Sequence, residues 1–361
     1  MLAHPKSHFT NSGRASILLA LEMIGVGPGD EVLVPTYHCP TMVAPIVALG
    51  AQPVFYPVDD DGAPGLAWLD QVDVSRVRAI LVAHFFGLPQ PLALVRHWCD
   101  QNRVRLIEDC AHALFGASDG KAIGTWGDLA IGSLTKFLPV PEGGCLANNL
   151  LPGATPTLQR PSKVGQIKAG FDIVHAGVNH GRLRGFGYLV RMLYGLLAKL
   201  KPSSGVTTAP MNPSVAEGFT IDTVQAHRAL TYPSAWIAEH ASRDRIVSCR
   251  RENYKFFVEA LTGVPGLRPL HPSLPNDCAP YVFPLWVDQP DPGYAELRRL
   301  DFPVSRWDRL WPSVPSIVAD IGVQWSRHIL QLACHQDLKR TEMQQMVDVL
   351  KRVYAPGHVS Q

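Results

Sequence analysis

Residues 104–146 read VRLIEDCAHALFGASDGKAIGTWGDLAIGSLTKFLPVPEGGCL. The stretch opens on an apolar run, Val104 to Ile107, that ends in Glu108-Asp109. Such a run is a buried strand that delivers a carboxylate at its C-terminal edge. A second apolar run, Leu129 to Gly132, delivers Ser133 and Lys136. Pro139 and Pro141 stop a helix there, and Gly143-Gly144 let the backbone turn tightly. A carboxylate and a lysine at neighbouring strand ends are what a pyridoxal phosphate (PLP) enzyme needs. The lysine forms a Schiff base, and the aspartate keeps the pyridine nitrogen protonated so that the ring accepts electrons. Taken alone, the same pair is also an ordinary strand end and a solvated loop lysine.

The rest of the stretch narrows the choice. Glu108-Asp109-Cys110-Ala111-His112-Ala113, then Ser133-Leu134-Thr135-Lys136, then Glu142-Gly143-Gly144 resemble the DegT/StrS family of PLP-dependent sugar aminotransferases. The resemblance implies an α/β, aspartate aminotransferase-like fold of type I. A large, mainly parallel sheet domain would carry the PLP, and a small C-terminal α+β domain would follow. It implies that Lys136 holds the cofactor and acts as acid and base, that Asp109 meets the pyridine nitrogen, and that His112 packs near the phenolic oxygen or the substrate. It gives Ser133 the cofactor phosphate. Many members carry S-F-x-x-x-K where this chain has the shorter S-L-T-K, a spacing found elsewhere in the wider fold. Relatives that are dehydratases replace the lysine by histidine; Lys136 therefore favours transamination over elimination. A non-catalytic PLP-binding relative is the third reading.

Working outward, Asn11-Ser12-Gly13-Arg14 precedes Ile17, Leu18, Leu21 and Ile24, spaced for one helix face. Asn11 or Ser12 caps this helix, and its free amides suit an anion. In the resembling family this place is S-G-T or S-G-R and cups the PLP phosphate, which gives Ser12, Gly13 and Arg14 to cofactor binding. Arg14 adds charge there or meets the amino donor's carboxylate. Only about ten residues precede this motif, fewer than in many members, so the usual N-terminal helix is not expected. Glu31 to Val34, Pro53 to Val58 and Ala79 to Ala83 read as buried strands. They alternate with helical segments at 41–49 and 91–102, the pattern of a parallel sheet. Family members place an aromatic on the pyridine ring at the start of the second helix. Strict counting puts Cys39 there, so His38 or Tyr37 must substitute, with His38 preferred. His84-Phe85-Phe86-Gly87 matches the family's H-x-x-G loop.

Farther on, residues 181–201 are helical in pattern, basic and apolar. They read as a helix packed on the core or a partner subunit, with contact to a membrane surface as the weaker alternative. Residues 202–213 are a Pro- and Ser-rich loop. Phe219 to Tyr232 matches the family's segment ending in Q-A, but Gly218 and Thr220 replace its N-x-R, whose asparagine reaches the neighbour's cofactor phosphate. A helix from about Ser234 to Leu261 leads into the small domain, dividing the chain into 1–235 and 236–361. Tyr281 to Val287 is a strand, and a closing helix ends near Val353.

Composition bounds the partners. The chain has 361 residues, about two domains' worth, 46% hydrophobic and 18% charged, as in ordinary globular proteins. A net charge of +2 gives no argument for nucleic acid. Seven scattered cysteines without a C-x-x-C suggest neither disulfide framework nor metal site, and point to the cytoplasm. There is no apolar leader and no run long enough to span a membrane. The expectation is a cytoplasmic, homodimeric PLP aminotransferase taking an amino-acid donor, glutamate or glutamine, and a keto sugar. That sugar is expected to be nucleotide-linked and to serve polysaccharide, glycolipid or antibiotic biosynthesis.

Overall fold

In the computed structural model the described residues are 7–150, 154–181 and 218–354, with Gly187, Tyr188, Met192 and Gly195 between them. The expectations for 181–201 and 202–213 otherwise lie outside the described residues. The larger sheet has seven strands: β1 (Ser7–Thr10), β2 (Glu31–Pro35), β3 (Gln52–Tyr56), β4 (Val77–Ala83), β5 (Arg105–Asp109), β8 (Leu129–Ser133) and β9 (Gly144–Asn148). A two-stranded ribbon of β6 (Ala117–Ser118) and β7 (Lys121–Ala122) lies between β5 and β8 in the chain. The sheet order is β1-β9-β8-β5-β4-β2-β3. Five neighbours from β3 to β8 run parallel, and β8-β9 and β9-β1 run antiparallel.

The parallel part follows from the apolar runs. Every residue of β2 is buried, and so is nearly all of β4, as helices on both faces require. α1 (Gly13–Met23), α2 (Pro40–Ala48) and α4 (Ala93–Asn102) pack on the sheet; α3 (Leu66–Leu69) and α5 (Lys163–Asn179) belong to the same half of the chain, α5 lying against the helix Tyr232–His240. Ala15 to Leu21 of α1 are all buried. The strands and helices expected in this half are present, displaced at their ends by one or two residues. β1, β6, β7, β9, α3 and α5 have no counterpart among the elements read from the sequence.

The C-terminal half builds a second sheet, in the order β10 (Leu267–Pro269), β11 (Val282–Val287), β13 (Ile329–Ala333), β12 (Val304–Ser305), antiparallel throughout. The helices Arg243–Leu261 and Arg340–Val353 cover it, enclosing Tyr254, Phe257, Phe283, Leu332 and Leu350. The single helix expected from Ser234 is two, Tyr232–His240 and Arg243–Leu261. Ser242 breaks them: its extended backbone starts the second, and its hydroxyl accepts the amide of Arg245. The expected domain break at 235/236 falls inside the first. The second helix then runs from a cluster with Leu134 and Phe137 at Ile246 to the small-domain core at Tyr254.

Candidate active site

Parallel strands leave their carboxyl ends along one edge, where ligands gather. β4 leads into His84, β5 ends in Asp109 and β8 ends in Ser133. The register pairs Ala83 with Asp109 and Asp109 with Ile131. This edge, the start of α1 and the small domain enclose a cavity of about 700 Å³. Asp109, His112, Ser133 and Lys136 line it, with Ser12, Gly13 and Arg14 on one side.

Asp109 is 5% exposed. One carboxylate oxygen accepts the amide of Ala111 at 2.8 Å; no other hydrogen bond reaches this side chain among the described residues. Burial pushes its pKa up, against the pull of Lys136 and the Ala111 amide. A cation beside the second oxygen would reverse that. Lys136 lies at the end of a 3-10 turn, Leu134–Lys136, that continues β8. Burial lowers its pKa, opposed by Asp109 and Cys39, so the amine carries more of its free, nucleophilic form than a surface lysine. Its Nζ stands 5.4 Å from the Tyr281 ring. His112 is 6% exposed, and burial, with Lys136 adding, holds its pKa well below the ordinary value. The neutral ring packs on Tyr281 at 4.6 Å and Trp307 at 4.9 Å. Among the described residues its nitrogens have no hydrogen-bond partner, although they border the cavity.

The other wall is a helix start. Ser12 caps α1 by accepting the amide of Ala15 at 3.2 Å. A Cβ on Gly13 would lie 3.2 Å from the Cβ of Ser133, so glycine lets the first turn close onto the end of β8. The first amides of a helix have no partner within it, and here Gly13 and Ser133 line the same cavity wall. Glu142 ties this wall from behind, accepting from Asn11 at 3.3 Å and from the Thr231 amide at 3.2 Å. These residues fit PLP: an anion cradle at Gly13 and Ser133, a lysine, an unshared carboxylate oxygen, and a histidine with open nitrogens. Arg14 lines the same side and donates to the carbonyl of Thr220 at 3.3 Å.

His38 does not join them. Its ring lies flat on Phe55 at 5.1 Å, its Nδ1 faces the carbonyls of Pro35 and Thr36, and its Nε2 accepts the amide of Trp311 at 2.9 Å. Buried so, its pKa falls to about 4. Cys39, the position that strict counting gives, lines the cavity instead. His84 borders the cavity but is already committed. Its Nδ1 accepts the Gln90 amide at 2.8 Å, and its Nε2 donates to Glu108 at 3.0 Å. Glu108 also accepts the amides of Gly124, Trp126 and Gly127. His84, Glu108 and Cys110 lie close enough to suggest a metal, but these four donors fill the carboxylate, and the knot is structural.

Residues 4–150 match the DegT/DnrJ/EryC1/StrS aminotransferase family. All the site residues named from the sequence fall within that DegT/DnrJ/EryC1/StrS stretch. The UDP-N-acetyl-3-dehydro-alpha-D-glucosamine 3-aminotransferase of Acidithiobacillus ferrooxidans is 35% identical over 119 residues, 33% of this chain and 32% of its own length. The GDP-perosamine synthase of Vibrio cholerae is 33% identical over 146 residues, 38% of this chain and 39% of its own. The matched part thus spans well under half of these relatives. Over the whole fold, the aminotransferase TlmJ from Streptoalloteichus hindustanus superimposes with a TM-score of 0.64 at 20% identity, covering 96% of this chain and 85% of that one. This is the fold of DegT/DnrJ/EryC1/StrS aminotransferases, a large mostly parallel sheet with a small second domain.

The structure adds residues from beyond the matched stretch. Tyr281, Trp307, Arg306 and Gln331 close the cavity from the small-domain side. Trp307 also packs on Tyr37 at 5.1 Å, and Gln331 donates to the Tyr37 hydroxyl at 3.0 Å. The sequence held one signal for them: Arg306-Trp307-Asp308-Arg309 is dense in charge and aromatics. The ring partners of Trp307 (Tyr37, Phe85 and His112) are more than 190 residues away in the chain, which no local pattern reveals.

Proposed function

We propose that the protein is a PLP-dependent aminotransferase that moves an amino group from an amino acid, glutamate or glutamine, to a keto sugar carried on a nucleotide. Its product would enter polysaccharide, glycolipid or antibiotic biosynthesis. The observation that carries this reading is the pairing of half-buried Lys136 with buried Asp109 on one cavity, with His112, Gly13 and Ser133 lining the same space. When bound, the cofactor supplies an electron sink for breaking a bond at the donor's Cα. The chain supplies the rest. Gly13 and Ser133 anchor the phosphate. Asp109 places a negative charge at the pyridine nitrogen and keeps its proton there. Neutral His112 offers a nitrogen to the phenolic oxygen or to the substrate. Lys136 holds the cofactor; its Nζ takes a proton from the donor's Cα and later delivers one to the sugar carbon that receives nitrogen.

The outer walls suit anionic substrates. Arg14, Arg298, Arg306 and Arg309 line them, against Asp308, and a cleft of one sign concentrates charged ligands. Both an amino acid's carboxylate and a nucleotide's phosphates meet that field. A homodimer is part of the proposal, because this fold builds its sites at a twofold interface. The test is direct. The chain is incubated with PLP and reduced with borohydride, and its peptides are mapped; the label belongs on Lys136. The PLP-loaded protein is then given glutamate or glutamine with a panel of nucleotide keto sugars, and the products are weighed by mass spectrometry. Label on another lysine, or a panel returning no aminated sugar from a protein that binds PLP, contradicts the reading.

A further inference from the structure

Arg250 lies in the middle of the helix Arg243–Leu261 and is completely buried. Among the described residues its hydrogen bonds go to no carboxylate. Nε donates to the side-chain oxygen of Gln336 at 2.7 Å. One terminal nitrogen donates to the carbonyls of Pro280 at 3.2 Å and Tyr281 at 2.8 Å, and the other to the carbonyl of Lys136 at 2.9 Å. The guanidinium lies over the Phe137 ring at 4.6 Å. Gln336 completes the frame by donating to the carbonyl of Phe137 at 2.9 Å. Behind it, Cys334 donates through its thiol to the carbonyl of Arg250. Burial pulls the pKa of Arg250 down to about 10.

A buried cation whose hydrogen bonds all go to neutral acceptors is an expensive way to fill space. An apolar side chain of the same size would pack there at less cost. What the guanidinium adds is a rigid plane of donors pointing in fixed directions. Here those directions converge on the chain at Lys136 and at Tyr281. The Tyr281 ring in turn faces the Lys136 amine at 5.4 Å and the His112 ring at 4.6 Å. We propose that Arg250 is a positioning residue: it fixes the main chain of Lys136 and the Tyr281 wall in one geometry, and so sets where the Lys136 amine stands in the cavity. This rests on the reading of Lys136 as the residue that holds the cofactor.

The amine faces Asp109 from β5, Cys39 from the start of α2, His112 from the loop after β5 and Tyr281 from the small domain. Its protonation therefore reports its place. The experiment is competitive amine acylation of the full chain without PLP, over a range of pH, read by mass spectrometry at the Lys136 peptide. In the parent chain the midpoint lies below that of an ordinary lysine. Arg250→Met lets the turn swing toward water, and the midpoint rises by about one pH unit or more. Arg250→Lys keeps a charge but not the fork, and does not restore it. Arg251→Met removes a neighbour that binds the carbonyls of Pro275 and Cys278, and leaves the midpoint in place. PLP retention falls with Arg250→Met and not with Arg251→Met.

A folded Arg250→Met chain with an unmoved midpoint overturns the proposal, as does full recovery by Arg250→Lys. If Arg250→Met does not melt cooperatively, Gln336→Met decides by the same readout. Collapse of both means that Arg250 is a core residue only, and overturns the proposal too. Because the labelling uses no cofactor, failure of Lys136 to take PLP is seen separately.

Discussion

Asp109 and Lys136 show at the residue scale how one environment tunes two groups toward each other. Burial penalises the charged form of both, raising one pKa and lowering the other, while each charge favours its neighbour's. A bound cationic ring would take up the free carboxylate oxygen. Asp109→Asn keeps an acceptor for the Ala111 amide and loses the charge. The expected outcome is a chain that still binds PLP but turns over roughly 100-fold more slowly, the scale of one lost electrostatic contact in a dry site; half-reaction kinetics measure it, and near-normal rates would refute the role. Arg14 stands beside the proposed phosphate cradle and donates to the carbonyl of Thr220. If its partner is the phosphate, Arg14→Ala weakens PLP binding by about 1.5 kcal/mol, the lower end for charged hydrogen bonds because the side chain is partly exposed. If the partner is the donor's carboxylate, PLP titration is unchanged and the donor's KM rises.

At the scale of elements, two of the connections between the large and small domains can each be tested by one substitution. The turn after β4 reaches Gly87, where φ is +92° and a Cβ would meet the carbonyl of Ala279 at 2.6 Å, and also the amide of Tyr281. Gly87→Ala should cost about 2–4 kcal/mol, from strain and from the lost close approach. Denaturant unfolding that shows a loss of stability below about 0.4 kcal/mol would show that the turn yields. The second connection is the bond from Trp311 to His38. His38 has its folded pKa lowered to about 4 from 6.5. The unfolded chain therefore binds the proton first, so this histidine's neutral, bonded state is fully favourable above 6.5. It destabilises progressively as pH falls toward 4, by at most about 1.4 kcal/mol per pH unit. His38→Gln retains an acceptor that does not titrate. Its melting temperature should fall less steeply with acid than the parent's; equal slopes would assign the acid sensitivity elsewhere.

For the whole molecule, the cavity is a joint product. Its floor comes from the large domain, and its far wall from Tyr281, Arg306 and Trp307. All seven cysteines are free, and among the described residues no helix is long and apolar enough to cross a membrane. The proposed homodimer predicts a particle of twice the 39.5 kDa chain mass in light scattering. A monomeric mass in an active preparation would remove the partner subunit from the proposal.

The sequence by itself determined the parallel core and the floor of the site. β4, β5 and β8 are apolar runs that lead to His84, Asp109 and Ser133, and a parallel sheet turns such ends to one edge; the pattern put Asp109, Ser133 and Lys136 there, and the family resemblance gave them their roles. The Ser12-Gly13 helix start was legible for the same local reason. Only the tertiary structure decided the rest. His38 and Cys39 are neighbours in the chain, and which of them faces the cavity depends on Phe55 and Trp311, which are distant in sequence. No local pattern marks Arg250, because its four acceptors come from three separate segments. Ser242 split an apolar-periodic stretch into two helices by a cap that competes locally with helix continuation. Local periodicity records which side of an element is buried; it does not record which distant side chain buries it.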